Sequence, residues 1–260
     1  GLHHRRAERR LMFWSGGILG GAAPRVIVKP ADLDGSSAYL NRGGDLTGNA
    51  DSAQGIFSAW IRLDGGDASQ LQIYWATGST ISIGRVAGNT FNISLQSSGG
   101  SALAFATANT YTASATWLHL LASWDCNFSA GNKLSHLYIN DVSDKAAPTD
   151  GNAAFAVDYT VADHQIGTQN AGSAFFNGCL AELYFAPGQY LDFSNAANRR
   201  KFITADLRPE ELGDTGANPT GTAPKVYQFR QSKAIGANAG TGGDFTAHGT
   251  FGAPTSSPAG

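Results

Sequence analysis

From Val26 onward, apolar residues recur at every second position, the spacing that sends alternate side chains of an extended chain to opposite faces. In Ile56 to Leu63, the residues Phe57, Ala59, Ile61 and Leu63 share one face, while Ser58, Trp60 and Arg62 take the other. The alternation returns in Leu71, Ile73 and Trp75 and in Ile81 and Ile83. It is cleanest in Phe91, Ile93 and Leu95, with Asn92, Ser94 and Gln96 facing out. Turn-forming clusters separate the runs: Asp64-Gly65-Gly66-Asp67, Thr77-Gly78-Ser79, Gly88-Asn89 and Ser98-Gly99-Gly100. Short strands at this spacing predict antiparallel sheets.

Further on, Trp117 to Trp124, Leu134 to Asn140 and Phe175 to Phe185 carry apolar groups on both faces. In the last of these, Cys179, Ala181, Leu183 and Phe185 alternate with Gly178, Leu180, Glu182 and Tyr184. Such runs predict central strands beneath a second layer, so the fold class is all-β: a two-sheet antiparallel sandwich with sheets about 10 Å apart. Helix is expected only in short pieces. Ser194 to Ile203 has Ser194 as N-cap and Arg199, Arg200 and Lys201 near the C-terminal end of the dipole; Pro209 to Gly213 has Pro in a first turn and Gly as a stop. Closing strands are expected at Lys225 to Phe229 and Asp244 to Phe251.

Composition agrees, since only 15 % of the 260 residues are charged and 33 are Gly, a mixture that suits strands and turns. The net charge of -2 hides an asymmetry: residues 1–10 hold four Arg against Glu8, and the remainder is mildly acidic. The chain therefore divides into a basic N-terminal arm (1–24), a sandwich (25–252) and a Pro/Ser/Gly tail (253–260). With no basic stripe, the folded domain is not expected to bind nucleic acid. Leu11 to Ala23 has the outline of a signal peptide, but the segment is read as a retained arm, Gly1 fitting removal of an initiator Met. No apolar stretch is long enough for a membrane span, since Ser15, Gly16, Gly17, Gly20 and Gly21 interrupt it. Cys126 and Cys179 are too few for a disulfide framework and lack metal-ligand spacing, so both are expected as buried thiols.

The run Ala31-Asp32-Leu33-Asp34-Gly35-Ser36-Ser37-Ala38-Tyr39-Leu40, followed by Phe57-Ser58-Ala59-Trp60-Ile61, resembles the opening of laminin G-like, concanavalin A-like jelly-roll domains. Trp117-Leu118-His119, Ala122-Ser123-Trp124-Asp125, Leu137-Tyr138-Ile139-Asn140-Asp141 and Gly178-Cys179-Leu180-Ala181-Glu182-Leu183 are similar to that family's later motifs, in the same order. The resemblance implies a jelly-roll sandwich and admits calcium, for which Asp64, Asp67, Asp125 and Asp141 are the hard oxygen donors near strand ends, although their spacing matches no calcium loop. No other cofactor is expected. Pro219 to Pro224 and Thr241 to Thr246 resemble versions encoded by tailed bacteriophages and prophages, which implies a virion component assembled in the bacterial cytoplasm; the alternative is a secreted or cell-surface protein.

Catalysis is not expected. Glycoside hydrolysis of the retaining kind needs two carboxyl groups about 5 to 5.5 Å apart. The four Glu, namely Glu8, Glu182, Glu210 and Glu211, form no Glu-x-Asp-x-x-Glu strand motif of the sort found in the family's glucanases. A lectin-like role remains, with Tyr74, Tyr111, Tyr159 and Tyr190 as glycan-binding candidates because sugars stack on aromatic rings. A structural role in a phage-like particle is compatible with it: Arg5, Arg6, Arg9, Arg10, Leu11, Phe13 and Trp14 would dock the arm on other virion proteins or on copies of the same chain, while the sandwich meets cell-surface polysaccharide. Trp60 and Trp124 are expected as packing residues and His119 as a hydrogen-bonded strand residue.

Overall fold

The computed structural model describes residues 28–230 and 233–259. In chain order the strands are β1 (Ala31–Asp34), β2 (Tyr39–Asn41), β3 (Gln54–Leu63), β4 (Leu71–Ala76), β5 (Ile81–Arg85), β6 (Phe91–Gln96) and β7 (Ala102–Ala106). There follow β8 (Leu118–Asp125), β9 (Leu134–Ile139), β10 (Val142–Ser143), β11 (His164–Ile166), β12 (Asn177–Pro187), β13 (Val226–Gln228) and β14 (Thr246–His248). One sheet has the order β1-β12-β3-β8-β9-β10, with β13 also on β12; the other has the order β14-β2-β11-β4-β5-β6-β7. Every pairing is antiparallel, as the alternation predicted.

Between the sheets, Phe57, Ile61, Leu120, Leu180 and Phe185 meet Leu40, Ile73, Ile83, Ile93 and Phe105 in one continuous core. Each such burial stabilises the fold by about 1.5–3 kcal/mol. The outer face of the first sheet is apolar as well. Ile56, Leu121, Tyr184 and Ala186 point away from the core and are covered by Phe193, Phe202 and Leu212 of the long β12–β13 connection. Nearer one end, Trp60 and Ala181 are covered by Val28, Ile203 and Ala259. We call this the capped sheet and the other the open sheet.

Two β-bulges displace the alternation read from sequence. In β4 the register shifts between Gln72 and Tyr74, so Ile73 and Tyr74 both enter the core and Trp75 turns outward, away from the face expected for it beside Leu71 and Ile73. Gly84 lies opposite, where a Cβ would come within 2.3 Å of Leu71 O. In β12 the shift falls between Ala181 and Tyr184, with Glu182 at φ 46°; Leu180, Leu183 and Phe185 point inward and Ala181 and Tyr184 outward.

Helix is scarcer than expected. α1 spans Ala196–Arg199, and Asn195, not Ser194, caps it by accepting from Ala197 N at 2.9 Å. Pro209 to Gly213 is not helical: Pro209 bridges Ile203, and Leu212 is drawn into the cap. The Pro/Ser/Gly tail packs on its own domain. Arg62 Nη1 donates to Ser256 Oγ at 2.8 Å, Arg208 Nη1 donates to Ala259 O at 2.5 Å, and the Ala259 side chain is buried.

Candidate functional site

Among the described residues the open sheet carries no apolar cap like that of the other sheet, although Gln72, Trp75 and Gln165 on its outer face are buried, and its register aligns one residue from each strand. Thr246 pairs with Asn41, Asn41 with Gln165, Gln165 with Trp75, Trp75 with Ser82, Ser82 with Ser94, and Ser94 with Ala104. Directly opposed residues of antiparallel strands share a face, so these seven side chains form a row across the whole sheet. A second row holds Gln72, Gly84, Asn92 and Ala106, and Gln96 opposes Ala102 beside them. None of these side chains carries a charge.

Half of this polar surface is locked and half is not. Gln165 Nε2 donates to Asp163 Oδ2 at 2.8 Å and its Oε1 accepts from Ala171 N at 2.9 Å. Gln72 Nε2 donates to Ile83 O at 3.1 Å, and Trp75 Nε1 to Ser79 Oγ at 3.3 Å. By contrast, the half-buried Asn92, Ser94 and Gln96 make no side-chain hydrogen bond among the described residues. Amide and hydroxyl groups held on a rigid strand, with donors and acceptors unspent, can take a ligand at small ordering cost. At the β14 edge, Tyr39 and His248 stack at 4.5 Å with a 6° interplanar angle, and Phe175 lies 6.1 Å from Tyr39. This aromatic group borders the row, because Tyr39 shares a face with Asn41 two residues on.

The four tyrosines expected to bind glycan do not converge. Tyr74 is fully buried because the β4 bulge turns it inward, where its hydroxyl lies 2.9 Å from His164 Nδ1. Behind it His164 Nε2 sits 3.3 Å from Asp45 Oδ1, and burial holds the imidazole pKa below its ordinary value. Tyr159 is also buried; its hydroxyl accepts from Trp124 Nε1 at 2.7 Å and donates to Gln54 O at 2.9 Å, which makes it a core post. Neither ring can stack on a sugar. Tyr111 is half-buried, donates to Asp144 Oδ2 at 2.5 Å, and lines a cavity of about 200 Å³ at a strand end. Tyr190 lies by the capped sheet with its hydroxyl 3.1 Å from His136 Nε2, and burial pushes its pKa up to about 12. The aromatic group that does border the polar row was missed. Tyr39 lay inside a quoted motif, but its partner His248 becomes a neighbour only through the long-range β14–β2 pairing. The arm residues Arg5, Arg6, Arg9, Arg10, Leu11, Phe13 and Trp14 lie outside the described residues.

The acids considered for calcium are each engaged elsewhere. Asp64 takes Arg62, Asp67 takes Arg85, Asp141 takes both Arg199 and Arg200, and Asp125 accepts from Gln54 Nε2 at 2.6 Å. One group, Asp32, Asp64 and Cys179, brings ligand atoms within 4.8 Å of one another. It does not fit calcium, which takes six to eight oxygens: it offers two carboxylates, one already neutralised by a guanidinium, and a thiol whose pKa burial pushes up to about 12. Cys126 is likewise a buried free thiol, as expected.

Two groups reminiscent of enzymes lie beneath the cap. Glu182 is buried with Tyr227 hydrogen-bonded to it, and burial raises its pKa to about 7. His119, the hydrogen-bonded strand residue expected, has Nε2 2.8 Å from Ser58 Oγ and stacks 4.7 Å from Trp60; burial lowers its pKa to about 3. Both are shut away from solvent.

No curated protein matches the sequence. Among solved structures, a protein of Bacteroides ovatus ATCC 8483 whose carbohydrate binding is inferred aligns with 88 % of this chain at 13 % identity and a TM-score of 0.59. This chain spans 61 % of the length of that protein, and the likeness shows a shared fold. A heptameric SAP-like pentraxin of Limulus polyphemus (16 % identity, 64 % of this chain, 78 % of that one, TM-score 0.43) is too loosely similar to argue from. The same holds for the LG1-3 region of the laminin alpha2 chain (12 %, 64 %, 33 %, 0.46). The sequence profile of the concanavalin A-like lectin/glucanases superfamily matches residues 34–187, more than half of the chain, and the protein belongs to that superfamily.

Proposed function

We propose that the chain is a non-catalytic carbohydrate-binding module whose open sheet takes an uncharged glycan laid across its strands. The observation that carries this reading is the half-buried, uncharged group of Ser82 and Ser94 flanked by the unengaged Asn92 and Gln96, beside the buried Trp75 and Gln165 of the same row. Hydroxyl-rich, uncharged ligands are matched by neutral amides and hydroxyls, and an anionic ligand would find no counter-ion in the row. Membership of a lectin and glucanase superfamily supports it, as does the inferred binding of the Bacteroides ovatus protein. The burial of Glu182 speaks for binding without cleavage, because a general acid must reach the glycosidic oxygen. The test is a glycan array followed by calorimetry on Asn92→Ala/Ser94→Ala/Gln96→Ala. Affinity should fall about tenfold to a hundredfold at unchanged stability, the net worth of two or three hydrogen bonds; unchanged affinity overturns the reading.

The resemblance of Pro219 to Pro224 and Thr241 to Thr246 to phage-encoded domains supports an extension: the module serves on a phage-like particle, docked through residues 1–24. A chain lacking residues 1–24 should then fold and bind glycan but fail to join the particle. Normal incorporation sinks the extension.

A further inference from the structure

At the strand end beside residues 110–117, a second arrangement stands apart from the open face. Arg62, buried near the end of β3, grips Asp64 through Nε and Nη2 at 2.8 and 2.7 Å, which leaves Nη1 as its outward donor. Nη1 donates to Ser256 Oγ at 2.8 Å and reaches Thr255 Oγ1 at 3.3 Å. Trp117 Nε1, just before β8, donates to the same Ser256 oxygen at 3.0 Å, and the Arg62 guanidinium lies 5.8 Å from the Trp117 ring centroid. Two donors, one on β3 and one in the residue before β8, thus converge on one hydroxyl oxygen. Next to that oxygen is a cleft of about 450 Å³, lined by Arg62, Leu63, Asp64, Ser114, Thr255 and Ser256 among others. Clefts that hold small ligands are commonly about 300–1,000 Å³.

Charge decides which oxygen-bearing ligand fits. Asp64 already balances Arg62, and Asp32 lies within ligand distance of Asp64, so the group carries an excess negative charge. The neighbouring Cys179 thiol stays neutral, burial having pushed its pKa up to about 12. A carboxylate, sulfate or phosphate would be repelled. A neutral hydroxyl is not: it accepts from Arg62 Nη1 and Trp117 Nε1 and brings no charge of its own. We propose that this cleft is a second saccharide site, which seats a hydroxyl of an uncharged sugar where Ser256 Oγ now lies, with Arg62 and Trp117 as donors. Ser256 is the built-in stand-in for that hydroxyl.

The indole N–H signals in a 15N-edited NMR spectrum separate this site from the open face, because Trp117 reports on the cleft and Trp75 on the row. The full chain is titrated with cellohexaose, mannohexaose and hexagalacturonate, with Trp117→Phe identifying the Trp117 signal. A neutral hexasaccharide should move the Trp117 signal, and Ser256→Ala should tighten that binding about threefold to tenfold by freeing both donors. A Trp117 signal that stays still while Trp75 moves overturns the cleft and leaves the open-face reading intact. Movement by hexagalacturonate alone overturns the uncharged class, and Ser256→Ala binding no tighter than wild type removes the stand-in role. If neither signal responds to any of the three, both sites fail.

Discussion

The two sheets share strand number, pairing sense and core chemistry, yet their outer faces are built for opposite ends. On the capped sheet the outward positions hold Ile56, Leu121, Tyr184 and Ala186, and the chain spends its long β12–β13 connection burying them under Phe193, Phe202 and Leu212. On the open sheet the equivalent positions include Ser82, Ser94, Asn92 and Gln96, which are half-buried, beside the buried Gln72, Trp75 and Gln165; among the described residues none receives a comparable apolar cap. The lesson is that a sandwich declares its working surface through the second set of alternate residues, those that do not make the core. Where that set is apolar the chain pays in sequence length to hide it; where it is polar the face is left to meet a ligand.

Mutation can break the comparison, and the largest effect should come from the cap. Phe202→Ala removes a ring that is nearly inaccessible and packs edge-on to Tyr184 and Phe193. It should cost about 3–5 kcal/mol in chemical denaturation, as large-to-small changes in a core do. A cost under about 1 kcal/mol would mean that the cap is an ornament.

Next comes acidity beneath the cap. Glu182 keeps its proton in the folded chain up to about pH 7 and releases it in the unfolded chain near 4.5, so its contribution to stability is present at low pH and is lost as pH rises through that interval. The loss is on the order of 3 kcal/mol. His119 slopes the other way: with its folded pKa near 3, it favours the folded chain above about 6.5 and loses that contribution as pH falls. The two overlap, so the quantity to measure is the difference between wild type and Glu182→Gln from pH 4.5 to 7.5, which should fall with rising pH. A flat difference contradicts the burial argument.

On the open face the effects concern binding. Tyr39→Ala, which dissolves the stack with His248, should weaken glycan binding by about 0.5–1.5 kcal/mol, read by calorimetry. Ser94→Ala should shift the unfolding free energy by less than about 0.5 kcal/mol, since it is half-exposed and makes no side-chain hydrogen bond among the described residues. Smallest of all, a chelator should leave both stability and glycan binding unchanged, because the acids near strand ends are spent on arginines and backbone amides; a calcium-dependent melting temperature would refute this.

The period-two pattern carried most of the architecture, and where it misled, a bulge was the cause. One inserted residue reverses every side chain after it. That reversal sent Tyr74 into the core and Trp75 to the outer face, and it split Ala181 from Leu183. No turn residue announces either bulge; Gly84, which permits the close approach at β4, sits on the neighbouring strand. Tyr159 misled differently. It lies outside the strands, yet its ring is buried and its hydroxyl is satisfied by Trp124 of β8 and Gln54 of β3, a long-range arrangement with no local trace. Pairings across large sequence distances, such as His248 with Tyr39, leave no local periodic trace at all.

The row of uncharged side chains runs from the exposed Thr246 at one margin to Ala104, beside the exposed Thr149, at the other. On the proposed glycan-binding reading, a row of that extent engages the middle of a polymer and is indifferent to where the polymer begins or stops. On that reading many copies share one strand of polysaccharide, and a carrier bearing several of them would hold on by multiplicity while each copy stays free to let go and rebind further along.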